Sequence, residues 1–119
     1  MPYIKVDDGR REALRNGEPA LTAGELNYQI FYYVKHNYSI ENYFKLPLLI
    51  KKYVNQFLGE KPNYQRYNDI TGVLICCKNE IYRRLEIDLE TLIQKILNSY
   101  DDEIAKYEDL KISENGDVE

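Results

Sequence analysis

The chain contains 119 residues with a net charge of −4, twelve tyrosines, no tryptophan and two adjacent cysteines, which fits one small domain and excludes a disulfide framework. Residues 101–119 carry a net charge of −6, whereas the first 100 residues carry +2. Because duplex DNA is bound through many cationic contacts, we expect no sequence-specific DNA partner. The apolar runs are too short to cross a membrane and no secretory signal is recognised, so we expect a cytoplasmic protein with no membrane partner.

The first predicted elements lie near the amino terminus. Residues 2–6 have the pattern of a short extended arm. Asp7 or Asp8 is expected to cap a helix that ends at about Arg15.

A capping-box pattern, Thr22-Ala-Gly-Glu25, predicts the start of the second helix. One side of this helix is apolar, and the other carries Tyr28, Tyr32 and Lys35. Two usable sides are typical of a central or interfacial helix.

A third helix is expected to kink or restart near Leu46, because Pro47 follows directly. Gly59 is expected to end it. Asn63 then has the position of a cap for the long segment that follows.

That segment carries an apolar stripe at steps of three and four residues, which indicates one bent helix or two helices joined end to end. The best position for a break is Glu86–Asp88, where Asp88 is able to cap a new helix. Within the stripe, Gly72 costs about 1 kcal/mol relative to alanine and is tolerable where another helix crosses closely. The stripe comprises Ile70, Val73, Leu74, Cys77, Ile81, Leu85, Leu89, Leu92, Ile96, Tyr100, Ile104 and Tyr107.

The period is lost after residue 109, so residues 110–119 are expected to form a loosely held tail. Together these elements predict a single all-α domain over residues 1–119. Its architecture is a small bundle of four to five helices with a long C-terminal helical arm and short extended termini. Because an elongated helical chain of this size buries little surface alone, we expect a homo-oligomer.

Catalytic and metal-binding motifs are hard to find in this sequence. His36, the only histidine, does not combine with Cys76 and Cys77 into a zinc site of standard spacing, and we expect neither a metal nor another cofactor. An alternative is a magnesium-dependent nucleotide pyrophosphatase that uses facing carboxylates. Its candidate acids are Glu25, Asp69 and Glu80, but the last two are about 16 Å apart by helical rise, too far to share one metal.

Basic and aromatic residues cluster within two helical turns of the arm. Lys78, Tyr82, Arg83 and Arg84 have the composition of a nucleotide site, because arginine binds phosphate with forked hydrogen bonds and tyrosine stacks on a base. The alternative is a solvated helix face on which Glu80 pairs with either arginine.

Several short motifs stand out along the chain: PYIK from residue 2, GELNYQI from residue 24, GVL from residue 72 with Lys78, Glu80 and YRR, and YED from residue 107 followed by KISENGDV. These motifs resemble those of a family of small tailed-phage and prophage proteins that is defined by a domain of unknown function. In that family the YRR and YED motifs are nearly adjacent. The intervening residues 86–106 are therefore expected to replace a partner chain's contact or to extend an oligomer interface.

The polar motif residues of the family imply a polar site or a hydrogen-bonded lock of the fold. In the first case Asn27 and Tyr28 join the basic cluster as ligand-binding residues. In the second, Arg83 or Arg84 clamps Glu108 or Asp109 and pins the tail onto the arm.

These observations predict a phage accessory protein that acts by stoichiometric binding in the cytoplasm of the infected bacterial host. One expected target is a host protein, contacted through tyrosine-rich faces. The other is a small anionic ligand, a nucleotide signal that is sequestered from host defence. The pyrophosphatase-like enzyme remains the alternative from a different class.

Overall fold

The computed structural model describes residues 9–39, 41–60 and 62–117. Within these ranges the chain is helical and contains no strand, which confirms the all-α class. The predicted arm at residues 2–6 and the two aspartates predicted as caps lie outside the described residues. The elements are α1 (Arg10–Arg15), α2 (Ala23–Asn37), a short 3₁₀ helix (Tyr43–Lys45), α3 (Leu46–Leu58), α4 (Tyr64–Leu85) and α5 (Glu90–Asn115).

Two helix caps form as the sequence predicts. The Thr22 hydroxyl accepts a hydrogen bond from the Glu25 amide (3.2 Å) at the start of α2, and the Asn63 side chain accepts one from the Arg66 amide (2.9 Å) at the start of α4. The carboxylate of Glu25 reaches back one residue further than in a standard capping box, to the amide of Leu21 (2.9 Å).

A new helix, α3, begins at Leu46, where Pro47 predicts a kink or a restart. Pro47 occupies its first turn, where the missing amide proton is not needed for an intrahelical bond. The helix ends at Gly59, whose φ of 70° is a conformation that residues with a Cβ rarely adopt.

The long apolar stripe folds back on itself as a hairpin of two helices, α4 and α5. Glu86 ends α4 in the left-handed conformation (φ 57°), and Asp88 accepts a hydrogen bond from the Glu90 amide (2.9 Å). The Tyr107 hydroxyl accepts one from the Tyr64 amide (3.1 Å). Because this contact joins the first turn of α4 to the far part of α5, the two helices are antiparallel.

One apolar core lies between α2, α3 and the α4–α5 hairpin, with α1 packed on α2. The Tyr100 hydroxyl of α5 donates to Asn55 Oδ1 of α3 (2.7 Å), and burial together with the nearby Glu103 raises the pKa of Tyr100 to about 12. Residues 86–106 therefore pack within their own chain. Their buried side chains are Leu89, Leu92, Ile93, Ile96 and Tyr100.

The last helix continues beyond its apolar period. α5 reaches Asn115, although every described residue from 108 to 117 is exposed. The backbone therefore stays helical after the side chains leave the core, over much of the segment that the sequence predicts as a loosely held tail. None of the helices in the described part of the chain has the length and apolar content of a membrane span.

Candidate anion-binding pocket

A buried polar network connects α2 with α4. Asn27 is fully buried, and its side-chain amide donates to Glu80 Oε1 (3.2 Å), while the thiol of Cys77 donates to Asn27 Oδ1 (2.9 Å). Burial raises the pKa of the Cys77 thiol well above its ordinary value, so the group remains a proton donor. Asn27, a ligand-binding candidate from the motifs, thus lies inside the fold.

Arg84 brings this network to the surface. Its Nη1 donates to Glu80 Oε2 (3.2 Å), which confirms the expected pairing four residues apart on α4. Its guanidinium lies 4.7 Å from the centre of the Phe31 ring on α2. Because 47% of the Arg84 side chain is exposed, the network ends in a cation that solvent can reach.

The pocket beside Arg84 lies between α1, α2 and the end of α4 and has a volume of about 230 Å³. Four cationic side chains, one histidine and three aromatic rings line it, and none of the described lining residues is acidic. We call this surface the cationic pocket. It is lined by Arg11, Arg15, Tyr28, Phe31, Tyr32, Lys35, His36 and Arg84.

Tyrosine rings position the two arginines that α1 contributes. Arg15 Nε donates to the Tyr28 hydroxyl (2.8 Å), and this hydrogen bond raises the pKa of Arg15. The Arg15 guanidinium also lies 4.8 Å from the centre of the Tyr32 ring, and that of Arg11 lies 5.0 Å from the centre of Tyr28. Such cation–π contacts orient guanidinium groups at an accessible surface.

Three rings follow one another along α2 at steps of four residues. The centres of Tyr28 and Tyr32 are 6.0 Å apart with an interplanar angle of 24°, and those of Tyr32 and His36 are 4.3 Å apart at 38°. Lys35 lies beside them. This row forms an aromatic platform that ends at the exposed ring of His36, where a planar group is able to stack next to the cationic charges.

A clamp at the start of α2 fixes α1 in place. Arg10 donates to both carboxylate oxygens of Glu25, through Nε (2.9 Å) and Nη2 (3.0 Å), and Nη2 also donates to the Pro19 carbonyl (2.7 Å). Burial alone would raise the pKa of Glu25, but the hydrogen bonds from Arg10 and from the Leu21 amide outweigh it and lower that pKa.

Gln29 provides a second anchor for α1. Its side-chain nitrogen donates to the carbonyls of Leu14 and Glu18, each at 2.9 Å. Because both acceptors lie at or just beyond the end of α1, this buried amide fixes the chain reversal before α2. The two anchors together hold Arg11 and Arg15 over α2.

The structure distributes the residues predicted for the basic cluster over different surfaces. Only Arg84 joins Tyr28 in the cationic pocket. Lys78 and Tyr82 line an open cleft of about 450 Å³, together with Asp88 and Glu90. Those two acids disfavour an anion in that cleft.

Arg83 lines a further groove with Cys76, Asn79 and Glu80. The arginine that directly precedes Arg84 on α4 therefore contributes to another surface.

The structure does not bring together the residues of the predicted lock. Glu108 and Asp109 follow Tyr107, which contacts the first turn of α4, whereas Arg83 and Arg84 lie in the last turn of α4. The helical rise separates Tyr64 from Arg83 by about 28 Å. The partner of Arg84 is Glu80 instead.

The carboxylates considered for a magnesium site have separate partners. Glu25 binds Arg10, Asp69 accepts from Gln65 (2.8 Å), and Glu80 binds Arg84. Among the described residues, no three histidine, cysteine or acidic side chains are arranged to hold a metal ion.

Sequence reasoning missed most of the pocket. It placed Tyr28, Tyr32 and Lys35 on one side of α2, but of these only Tyr28 was a ligand-binding candidate, and it assigned no role to His36. The available signal was the cationic α1 just before this aromatic side of α2. A further member of the pocket, Phe31, has no such sequence signal.

The fold and the pocket define a small all-α domain with a cationic, aromatic-lined surface site. The chain belongs to the family described as Domain of unknown function (DUF6899), whose model matches residues 1–118. This confirms the expectation of a family defined by a domain of unknown function. Comparison with curated proteins and with solved structures finds no match.

Proposed function

We propose that the protein acts by stoichiometric binding and holds a nucleotide in the cationic pocket. The observation that carries this proposal is the composition of one continuous pocket: four cationic side chains and three aromatic rings, with no acid among its described lining residues. A phosphate and a base need those two kinds of group side by side.

Each part of the pocket matches one part of such a ligand. The guanidinium groups of Arg11, Arg15 and Arg84 bind phosphate oxygens with paired hydrogen bonds. The base stacks on the exposed His36 ring at the end of the platform. The volume of about 230 Å³ is below the range of about 300–1,000 Å³ typical of ligand sites, so we expect part of the nucleotide to stay in solvent.

The resemblance to tailed-phage and prophage proteins supplies the biological setting of the proposal. A protein that sequesters a nucleotide signal in the cytoplasm of an infected bacterium removes it from host defence. Sequestration requires affinity and abundance and no reactive group. We therefore expect the nucleotide to be bound and released chemically unchanged.

A thermal-shift panel of linear and cyclic mono- and dinucleotides tests this proposal. A ligand at 100 times its dissociation constant stabilises the fold by about 2.7 kcal/mol, which raises the melting temperature by several degrees. The panel is measured first with a chelator and then with Mg²⁺, and the nucleotides are recovered and analysed. We expect a melting shift under both conditions and full recovery.

Two matched arginine variants locate the site. Arg15→Ala removes a pocket cation and should weaken binding at least tenfold, because hydrogen bonds to charged groups contribute about 1.5–3 kcal/mol. Arg83→Ala makes the same change outside the pocket and should leave the affinity unchanged.

The alternatives give different results in the same experiment. Consumption of a nucleotide only with Mg²⁺ would contradict sequestration and favour the pyrophosphatase-like enzyme. Absence of a melting shift with every nucleotide would contradict the pocket proposal. It would favour a host protein as the partner, bound through the exposed side chains Tyr38, Tyr43, Phe44 and Leu48.

A further inference from the structure

The outward side of α4 contains a glycine that the fold of one chain does not explain. Gly72 lies in the middle of the helix, where glycine is unfavourable unless a neighbour approaches closely. Apart from the nearby backbone of α4 itself, no atom of the described residues comes within 4 Å of a Cβ built at this position. The helix crossing that the sequence led us to expect at Gly72 is therefore not supplied by α1, α2, α3 or α5.

Apolar side chains flank this glycine on the same side of α4. Ile75, three residues after Gly72, is 41% exposed, and Cys76 next to it is also exposed. Beside Gly72 is a shallow groove of about 240 Å³, which includes Ala23 and has mostly apolar walls. We call this surface the α4 outer face.

The charges of the α4 outer face are arranged antisymmetrically. Asp69 lies seven residues before Cys76 and Arg83 lies seven residues after it, so each is about 10 Å from Cys76 along the helix. Seven residues are close to two full turns, so all three side chains share one azimuth. An antiparallel copy of α4, related by a twofold axis near Cys76, would place each Asp69 opposite an Arg83.

We propose that the α4 outer face binds the same face of a second copy of this chain in that antiparallel arrangement. Gly72 lets the two helices approach closely, and Asp69 pairs with Arg83 of the partner subunit at two symmetric positions. A parallel arrangement would put like charges opposite each other. The surface is separate from the cationic pocket, so this inference stands or fails independently of nucleotide binding.

A charge-swap series, measured by sedimentation velocity from 1 to about 200 μM, tests the arrangement. We expect the wild-type chain to dimerise, and Asp69→Arg or Arg83→Asp to raise the dissociation constant at least tenfold. The double variant Asp69→Arg/Arg83→Asp restores opposite charges and should return the constant to within about threefold of wild type. Because both positions are at the surface, the variants should fold, which circular dichroism checks.

Three outcomes of this series would overturn the inference. A wild-type monomer at every concentration excludes the second copy as occupant and leaves a different protein as the candidate. If neither single variant changes the dissociation constant, the dimer forms through another surface. A double variant that fails to recover contradicts the antiparallel charge pairing.

Cross-linking gives a second test of the contact. A short bis-maleimide should link the wild-type chain through Cys76 of each copy, and Cys76→Ser should abolish the product, because Cys77 is buried. Lack of the wild-type product would contradict the placement of the axis.

Gly72→Ala separates folding from association. The Cβ enters open space in the single chain and favours the helix, so the melting temperature of dilute protein should rise by about 4 °C. The same Cβ keeps the helices apart, so dimer affinity should fall at least fivefold. Unchanged or tighter association would contradict close packing at Gly72.

Discussion

Helix α4 contributes to two interfaces of different chemistry. Against α5 it buries an apolar seam, whereas against α2 it buries a network of Asn27, Cys77 and Glu80 that ends at Arg84. Apolar contacts are non-directional, so the hairpin gains stability from area. Hydrogen bonds require specific partners, so the α2–α4 contact fixes which groups face each other and holds Arg84 at the edge of the cationic pocket.

Truncating substitutions in the two interfaces are therefore expected to lower stability for different reasons. A truncation in the hairpin leaves a cavity, and its cost scales with the lost volume. A truncation in the network leaves buried polar groups without partners. Only the second kind of damage reaches the cationic pocket, because only that network includes one of its cations.

The largest expected effect comes from the hairpin. Ile96→Ala removes a side chain that is 1% exposed and should lower the free energy of unfolding by about 3 kcal/mol, measured by urea denaturation. Leu110→Ala, on the exposed part of the same helix, is the control and should change it by less than about 0.5 kcal/mol. Equal effects of the two substitutions would contradict the burial of the hairpin seam.

A smaller loss of stability, but a loss of pocket function, is expected at the network. Glu80→Ala leaves Asn27 and Arg84 without this acceptor and should cost about 2 kcal/mol. Nucleotide affinity should fall as well, because Arg84 loses the group that positions it. Ile96→Ala is the control: under conditions in which this variant is folded, it should bind the nucleotide with wild-type affinity. Normal affinity in Glu80→Ala would show that the network does not position the pocket.

The smallest effect concerns the attachment of α1 and depends on pH. The pKa of Glu25 is lower in the folded protein than its ordinary value of 4.5, so its charged form stabilises the fold above about pH 4.5 and the stabilisation is lost as the pH falls through the folded pKa. At pH 7, Glu25→Gln should cost about 1–2 kcal/mol.

The difference in the free energy of unfolding between wild type and Glu25→Gln should disappear as the pH falls below the folded pKa of Glu25. Unfolding curves between pH 7 and pH 3 measure it. A gap that is constant across this range would contradict a charge-dependent clamp.

Features set by nearby residues were predictable from the sequence. The caps at Thr22 and Asn63 each depend on an amide three residues away, and the break after Leu85 follows from the local pattern. The cationic pocket is different, since Arg15 and Tyr28 meet only after the chain reverses between α1 and α2. No spacing rule connects such residues.

The arginine pair shows the same limit within one helix. Arg83 and Arg84 are neighbours in sequence, but a helical step of about 100° turns one toward α2 and the other toward the outward groove. Their grouping into one ligand site was plausible from composition. Only the position of α2 in the fold shows that the two arginines lie on different surfaces.

The single histidine of the chain gives the most direct test of nucleotide binding in the cationic pocket. His36 stacks beside Tyr32 in the platform, so its ring-proton signals in an NMR spectrum report on that site alone. With the nucleotide that gives the largest melting shift, we expect these signals to move and to saturate at one ligand per chain, and to stay still in Arg15→Ala. Binding that saturates by calorimetry while the His36 signals remain unmoved would place the ligand elsewhere and contradict the proposal.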